Sequence, residues 1–372
     1  MRAHIIYPNY LAPDGKDMSI GGIQTYIANL APVLRDEGYE VHIYQRSEQD
    51  FTVNRDDAIV HGCRHKDNFS YRLFLYLFDQ ARQGINPQDD LVVFGSEACV
   101  VPCPGYRSIA IQHGIWWDIA QQEHVSSMKY LYHFLYKSRM AWCTIKRDAL
   151  VGTLVCVDHN FVNWYRALTL YPKNKLYVIP NFSETPDTLP QKDESPLRII
   201  FARRFNTYRG TRLFTHAIMR ILGECQGIEV TVAGTGPDEQ YMRERLEKLP
   251  GVTFTTYTSN DSLRMHSDKH IAVVPTTGSE GTSLSLLEAM ASGCAVICTN
   301  VGGMTNIVLD HYNGIMISPD EEELYQALKD LIGDAALRRT LAARAYDTVC
   351  HSFSLDIWRS KWRRIIREAR RD

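Results

Sequence analysis

The stretch "IAVVPTTGSEGTSLSLLEAMASGCAVICT", Ile271 to Thr299, reads as strand, loop, helix and strand in that order. "IAVVP" and "AVICT" are apolar runs of strand length, and "TTGSEGTS" between them is loop. A helix is expected to begin near Thr282 or Ser283, with Leu284, Leu287 and Ala291 as its apolar stripe. Glu280 falls in the loop and Glu288 in the helix. From Gly281 to Leu309, Glu288 is the only charged side chain. A carboxylate buried without donors is costly and tends to neutralise, so Glu288 needs a partner. Free N–H groups at Gly281 to Ser283 would face the carboxyl end of the preceding strand and form an anion site. Two carboxylates beside such a site repel an anion unless each has a specific partner.

The same alternation continues outward along the chain. In the C-terminal half, strands are expected at "LRIIFA", "IEVTVAG", "VTFTTY", "IAVVP", "AVICT" and "GIMIS". In the N-terminal half they are expected at "HIIY", "EVHIYQ", "LVVFG", "SIAIQ", "TLVCV" and "LYVIP". Helical segments separate them. The first places Ile23, Tyr26, Ile27, Leu30, Val33 and Leu34 on one face, and Gly38 stops it. Ser126 to Arg147 reads as a long helix rich in aromatic and basic residues. Repeated strand–helix alternation predicts an α/β protein with two doubly wound parallel sheets facing each other across a cleft. The stretch Asn181 to Pro196, acidic and proline-bearing, is the expected linker. The domains are therefore expected at 1–185 and 193–353, with a helix over 354–372 returning to the first.

Composition narrows the function classes. At 372 residues the chain exceeds what one core usually supports. Its 41 basic against 43 acidic residues argue against a nucleic-acid-binding protein. The N-terminal apolar run is too short for a signal peptide, and no uncharged apolar run reaches the roughly 18 residues of a membrane helix. The nine cysteines are scattered, without C-x₂-C pairs, which suits free thiols in a cytoplasmic protein.

Other segments add candidate ligands. Gly21–Gly22, between the first strand and first helix, is either a phosphate-approaching loop or a tight turn. "AGTGPDE" carries Glu239 where a dinucleotide fingerprint needs glycine, which argues against a nicotinamide cofactor. In "FARRFNTYRGTRLF", Arg203 and Arg204 end a strand and Arg209 precedes Gly210 at a helix start. Cations are unfavourable at a helix N-terminus, so the cluster points to a bound polyanion or to a solvated basic loop. His113 follows a strand at its carboxyl end, where α/β domains place site residues. A carboxylate can accept two hydrogen bonds from the vicinal diol of a ribose. Phosphate donors combined with Glu280 and Glu288 thus describe a site for a sugar nucleotide; the alternative for Glu288 is a buried arginine partner. No Asp-x-Asp pair and no His/Asp cluster points to a catalytic metal.

On these residues the chain resembles glycosyltransferase family 4, the retaining family with the GT-B fold of two facing Rossmann-like domains. "SEGTSLSLLEAMASGCAVICTNVGG" looks like its Glu-x₇-Glu signature at Glu280 and Glu288, and "RFNTYRG" like its Arg-x₄-Lys-Gly element. "GGIQTY", "QHG", "VIPN" and the tail extend the resemblance over most of the chain. It implies that Glu280 holds sugar hydroxyls, Glu288 the ribose diol, and Arg204 with Arg209 the diphosphate. It further implies that His113 meets the donor sugar and that the Gly22 backbone, in the Gly21–Gly22 loop, meets the distal phosphate. Gly281, Thr282, Ser283 and Leu284 complete the donor site. Arg209 stands for the usual lysine, Arg203 stands where glycine is common, and Phe182 replaces a frequent glycine.

The resemblance implies a retaining hexosyltransferase using a nucleoside-diphosphate sugar, UDP foremost, and a glycan or lipid-linked glycan acceptor. Neither a cofactor nor a metal is expected, and cell-surface polysaccharide or glycoconjugate synthesis is the expected setting. A sugar-nucleotide epimerase and an inactive nucleotide-binding subunit are the alternatives. The tail "IWRSKWRRIIREARRD" has an apolar stripe and a basic face, expected either to dock on the protein or to meet an anionic membrane. In the second case it and the basic helix at 126–147 would bind anionic lipid and attach the protein peripherally to the cytoplasmic face of the membrane.

Overall fold

The computed structural model describes residues 1–19, 21–55, 57–118, 126–169, 174–258 and 261–371. Two compact units divide the chain. One comprises Met1–His113, His124–Ile179 and Trp358–Asp372, the other Gly114–Glu123 and Pro180–Ile357.

The first unit is built on β1 (Arg2–Ile6), β2 (Glu40–Ser47), β3 (Phe51–Arg55), β4 (Ala58–Arg64), β5 (Leu91–Phe94), β6 (Arg107–Gln112), β7 (Thr153–Cys156) and β8 (Lys175–Val178). They form one sheet in the order β3-β4-β2-β1-β5-β6-β7-β8. Every pairing is parallel except β3 with β4, a hairpin at the edge. The helices of the unit are α1 (Gly22–Asp36), α2 (Tyr71–Arg82), α3 (Ser127–Asp148) and α4 (His159–Leu168). The chain runs outward from β1 to β2, then restarts at β5 on the other side. That reversal between β1 and β5 is the switch point where open α/β sheets bind ligands.

The second unit repeats the plan with β9 (Leu197–Ala202), β10 (Ile228–Ala233), β11 (Val252–Thr255), β12 (Ile271–Val274), β13 (Ala295–Thr299) and β14 (Ile315–Ile317). All pairings in its sheet, ordered β11-β10-β9-β12-β13-β14, are parallel. Its helices are α5 (Thr211–Glu224), α6 (Glu239–Leu246), α7 (Ser262–Ser267), α8 (Leu284–Ala291), α9 (Glu321–Gly333) and α10 (Ala335–Ser352). Strand periodicity divides the core in two. Ile199, Phe201, Val230, Val232, Val273 and Ile297 face α5, α6 and α9, with Phe201 stacked on Phe214 at 4.6 Å. Ile200, Ala202, Ala272, Val274, Val296 and Cys298 face α8 and α10. Because both faces are covered, the central strands β12 and β13 carry the near-continuous apolar runs by which they were legible. The switch point lies between β9 and β12.

The last helix, α11 (Leu355–Arg371), settles the reading of the tail. Trp358, Trp362, Ile365 and Ile366 are buried, and the Trp362 Nε1–H donates to the Tyr26 hydroxyl at 2.9 Å. Arg363 pairs with Asp36 and Arg367 with Glu37, both at the end of α1. The apolar stripe thus completes the core of the first unit. The cysteines are all free and mostly buried. Among the described residues no helix is long and apolar enough to cross a membrane.

Candidate active site

In the second unit, β9 and β12 release their chains side by side at the switch point. β9 leads into Arg203, and the following chain turns through Thr207–Arg209 into Gly210 at the start of α5. Gly210 has φ 80°, and a Cβ there would stand 1.9 Å from the Pro275 carbonyl oxygen at the end of β12. Only glycine lets the two loops approach so closely. The segment "GTGPDE" braces this turn: Asp238 Oδ2 accepts hydrogen bonds from the Thr207 and Thr211 hydroxyls.

The loop after β12 delivers Glu280. Ser279 just before it has φ 51°, a left-handed conformation uncommon for serine and found where surrounding structure dictates the backbone. Glu280 Oε2 accepts from Arg203 Nη2 at 2.5 Å, from Arg209 Nη1, and from the Thr276 hydroxyl at 3.1 Å. Arg203 Nη1 also donates to Thr276 Oγ1. Burial pushes the Glu280 carboxyl up, but the Arg209 and Arg203 guanidiniums pull it further down, so it ends below the ordinary carboxylate range. One carboxylate set against two guanidiniums leaves a surplus positive charge.

Of the two adjacent arginines, Arg203 is buried in this cluster and Arg204 lies exposed. Glu280, Arg203 and Arg209 are therefore brought together, and Arg203 is the member that sequence reading did not assign.

Glu288 lies on α8, one of the few residues of that helix not fully buried. Its Oε2 accepts from the Ser262 hydroxyl at 2.5 Å. The donor is thus a serine of α7, not the arginine considered as the alternative. Burial raises the Glu288 carboxyl to about 6, with the Ser262 hydrogen bond opposing the rise. Between the two glutamates, Ser283 occupies the N-cap of α8 and makes no side-chain capping bond. Thr282 Oγ1 accepts from the Asn181 amide at 2.7 Å, and Asn181 Nδ2 donates to the Thr282 carbonyl at 2.5 Å. That contact ties "VIPN" to the helix start. Gly302, at φ 56°, brings the loop after β13 against the Glu280 carbonyl, where a Cβ would sit 2.0 Å away. Gly303 then donates its amide to that carbonyl at 3.1 Å.

In the first unit, Gly21 and Gly22 open α1, whose N-terminus carries no side-chain cap. His113 follows β6; its Nε2–H donates to the Gly95 carbonyl at 2.9 Å, and its ring meets the Tyr26 ring edge-on at 5.0 Å. Burial pushes the imidazole down to about 4, against the opposing pull of the Gly95 carbonyl, so the ring is neutral at pH 7 with its lone pair on Nδ1. Glu97, also missed in the sequence, is buried beside this loop and accepts from the Ser96 hydroxyl at 3.1 Å. Burial lifts its carboxyl to about 7. Among the described residues no group of three or more His, Cys, Asp or Glu is placed to hold a metal ion.

Two parallel α/β units, one with paired acid and arginine side chains at its switch point, define a GT-B glycosyltransferase. Comparison with known proteins agrees. Residues 20–185 match Glycosyltransferase Family 4 and residues 196–334 match Glycosyl transferases group 1. An uncharacterised glycosyltransferase of Methanocaldococcus jannaschii is 40% identical over 332 residues, spanning 87% of this chain and 88% of its own. Sucrose-phosphate synthase from Thermosynechococcus elongatus shares the fold with a TM-score of 0.75 at 16% identity, over 99% of this chain and 98% of that one. HepE of Anabaena, solved in complex with UDP, has a TM-score of 0.71 at 14% identity, over 99% and 100% of the two chains. The chain belongs to glycosyltransferase family 4.

Proposed function

We propose that the chain transfers a sugar from UDP to a hydroxyl of a glycan or lipid-linked glycan, with retention of anomeric configuration. The observation that carries this reading is Glu280 Oε2 shared by Arg203 and Arg209 at the ends of β9 and β12. The surplus guanidinium charge suits a diphosphate, whose oxygens arginine forks match. Glu280, held ionised and aimed by two cations, is suited to orient sugar hydroxyls. Glu288 is ionised above about pH 6 and is suited to accept from the ribose diol. The uncapped start of α8, Gly281 to Leu284, offers amides to the same diphosphate. UDP as nucleotide draws support from the fold relative solved with it.

The reaction in this reading is a front-face displacement. The bond from the anomeric carbon to the departing phosphate oxygen breaks as the acceptor oxygen bonds to the same face, and the acceptor proton passes to that phosphate oxygen. Arg204, Arg209 and the α8 amides neutralise the leaving group without a metal. Glu280 positions the sugar and is not a nucleophile. His113, neutral, is assigned to the donor sugar, and Gly21–Gly22 to the distal phosphate. Cell-surface polysaccharide or glycoconjugate synthesis on the cytoplasmic side is the proposed setting.

The test is a thermal-unfolding screen with UDP-, GDP- and dTDP-sugars. A rise in Tm with UDP-sugars is expected, since a ligand bound only to the folded state stabilises it. No rise with any nucleotide sugar would refute the reading.

A further inference from the structure

Helix α3 buries only Thr144 and Asp148 among its residues. Met128, Leu131, Phe134, Leu135 and Trp142 recur at steps of three, four and seven, which places them on one side of the helix. Each of them is between 55% and 84% exposed. At 100° per residue, Thr144 and Asp148 lie roughly a third of a turn away from that stripe, so the helix meets its own domain with a different face. Tyr130 and Tyr132 border the stripe on either side and are also exposed. Exposed apolar patches of this kind mark interaction surfaces.

Charge identifies the partner. Lys129, Lys137, Arg139, Lys146 and Arg147 lie on the same helix, and no Asp or Glu occurs between Ser127 and Arg147. Two copies of this helix packed on each other would set cations against cations, which disfavours self-association. Apolar residues bordered by tyrosines, with Arg139 and Lys146 at the margin of the stripe and Lys129 beyond it, match the profile of a water–hydrocarbon interface over anionic headgroups. Lys146 stands 4.9 Å from the Trp142 ring centroid, so a cation accompanies the aromatic at the edge of the stripe.

We propose that α3 lies in the surface of an anionic lipid bilayer. Met128, Leu131, Phe134, Leu135 and Trp142 enter the acyl boundary, and Lys129, Arg139 and Lys146 face lipid phosphates. The contact belongs to α3 and not to the C-terminal helix, whose apolar stripe is already buried in the first unit. None of the stripe residues belongs to the assigned donor site, so the two can fail separately.

Flotation of the full chain tests this, using vesicles of phosphatidylcholine alone or with an equal part of phosphatidylglycerol. The wild type is expected to float with the anionic vesicles at low salt and less so at high salt. Phe134→Glu with Leu135→Glu is expected to lower the bound fraction roughly tenfold or more. Leu131→Gln gives a smaller loss on the same stripe, and Arg364→Glu with Arg371→Glu on α11 changes binding less than about twofold. The UDP-sugar shift in Tm, read on every variant, shows that each is folded and reports the donor site independently. Wild type that stays unbound at low salt overturns the proposal. So does stripe-variant binding equal to wild type, or a solution dimer that the stripe substitutions dissociate.

Discussion

Arg203 and Glu280, 77 residues apart in sequence, meet at 2.5 Å through Nη2 and Oε2, with only 4% and 10% of their side chains exposed. An ion pair so removed from water is retained only when its remaining groups are also satisfied, and here Thr276 and Arg209 do that. The arrangement converts a loop glutamate into a rigid one.

Arg203→Met leaves Glu280 with Arg209 and Thr276. Breaking one partner of a buried pair is expected to cost about 3 kcal/mol of unfolding free energy, the lower end of the usual range because Arg209 remains. Urea titration reads it. A loss within error of zero would mean that the pair does not form in solution.

Glu280→Gln keeps the shape but removes the charge that faces two guanidiniums. Turnover is expected to fall about 100-fold with KM nearly unchanged, because the lost interaction orients the sugar during bond breaking. Initial rates of donor consumption measure this. A change confined to KM would reassign Glu280 to ground-state binding.

Glu288 gives donor binding a pH dependence. Its carboxyl is raised by burial to about 6, so the ionised acceptor is lost as pH falls through that value. Affinity for a UDP-sugar, whose diphosphate does not titrate there, is expected to be constant above about pH 7 and to decline roughly tenfold per unit below pH 6. Glu288→Gln should bind more weakly at neutral pH, by about 10- to 100-fold, and show no such decline. Calorimetric titration across pH separates the two. A flat wild-type profile would remove Glu288 from the ribose.

Gly210→Ala forces a Cβ into the Pro275 carbonyl at positive φ. A stability loss of about 2 kcal/mol or more is expected, with donor binding lost in parallel because Arg209 precedes the glycine. Denaturant unfolding and the UDP-sugar shift in Tm report the two effects.

The legible part of the fold was the part buried on both sides. The central strands β12 and β13 carry near-continuous apolar runs, and β12–α8–β13 announced the crossover by itself. The edge hairpin β3–β4 escaped because "FTVNRDDAIVHGCR" mixes charges into half-exposed strands. In the site, Glu280, Glu288 and Arg209 were named by spacing and resemblance. That Arg203 joins Arg209 on Glu280 was not readable that way, since adjacent residues leave a strand end toward opposite sides and only the packed register decides which turns inward. Ser262 as the donor to Glu288 depends on how α7 packs beside α8, and no local pattern encodes it. Glu97 carries no local signal of burial, which comes from the turn after β5. The tail's basic face was readable; that its apolar stripe seats against Tyr26 of α1 was readable only as one of two outcomes.

The central claim is glycosyl transfer with retention at the Glu280 cluster. The most direct measurement is proton NMR of the sugar first released when a UDP-α-sugar reacts slowly with water as acceptor. The α-anomer is expected before mutarotation, and Glu280→Gln should abolish the signal. Release of the β-anomer first, or conversion of the donor into an epimeric nucleotide sugar, would contradict the account.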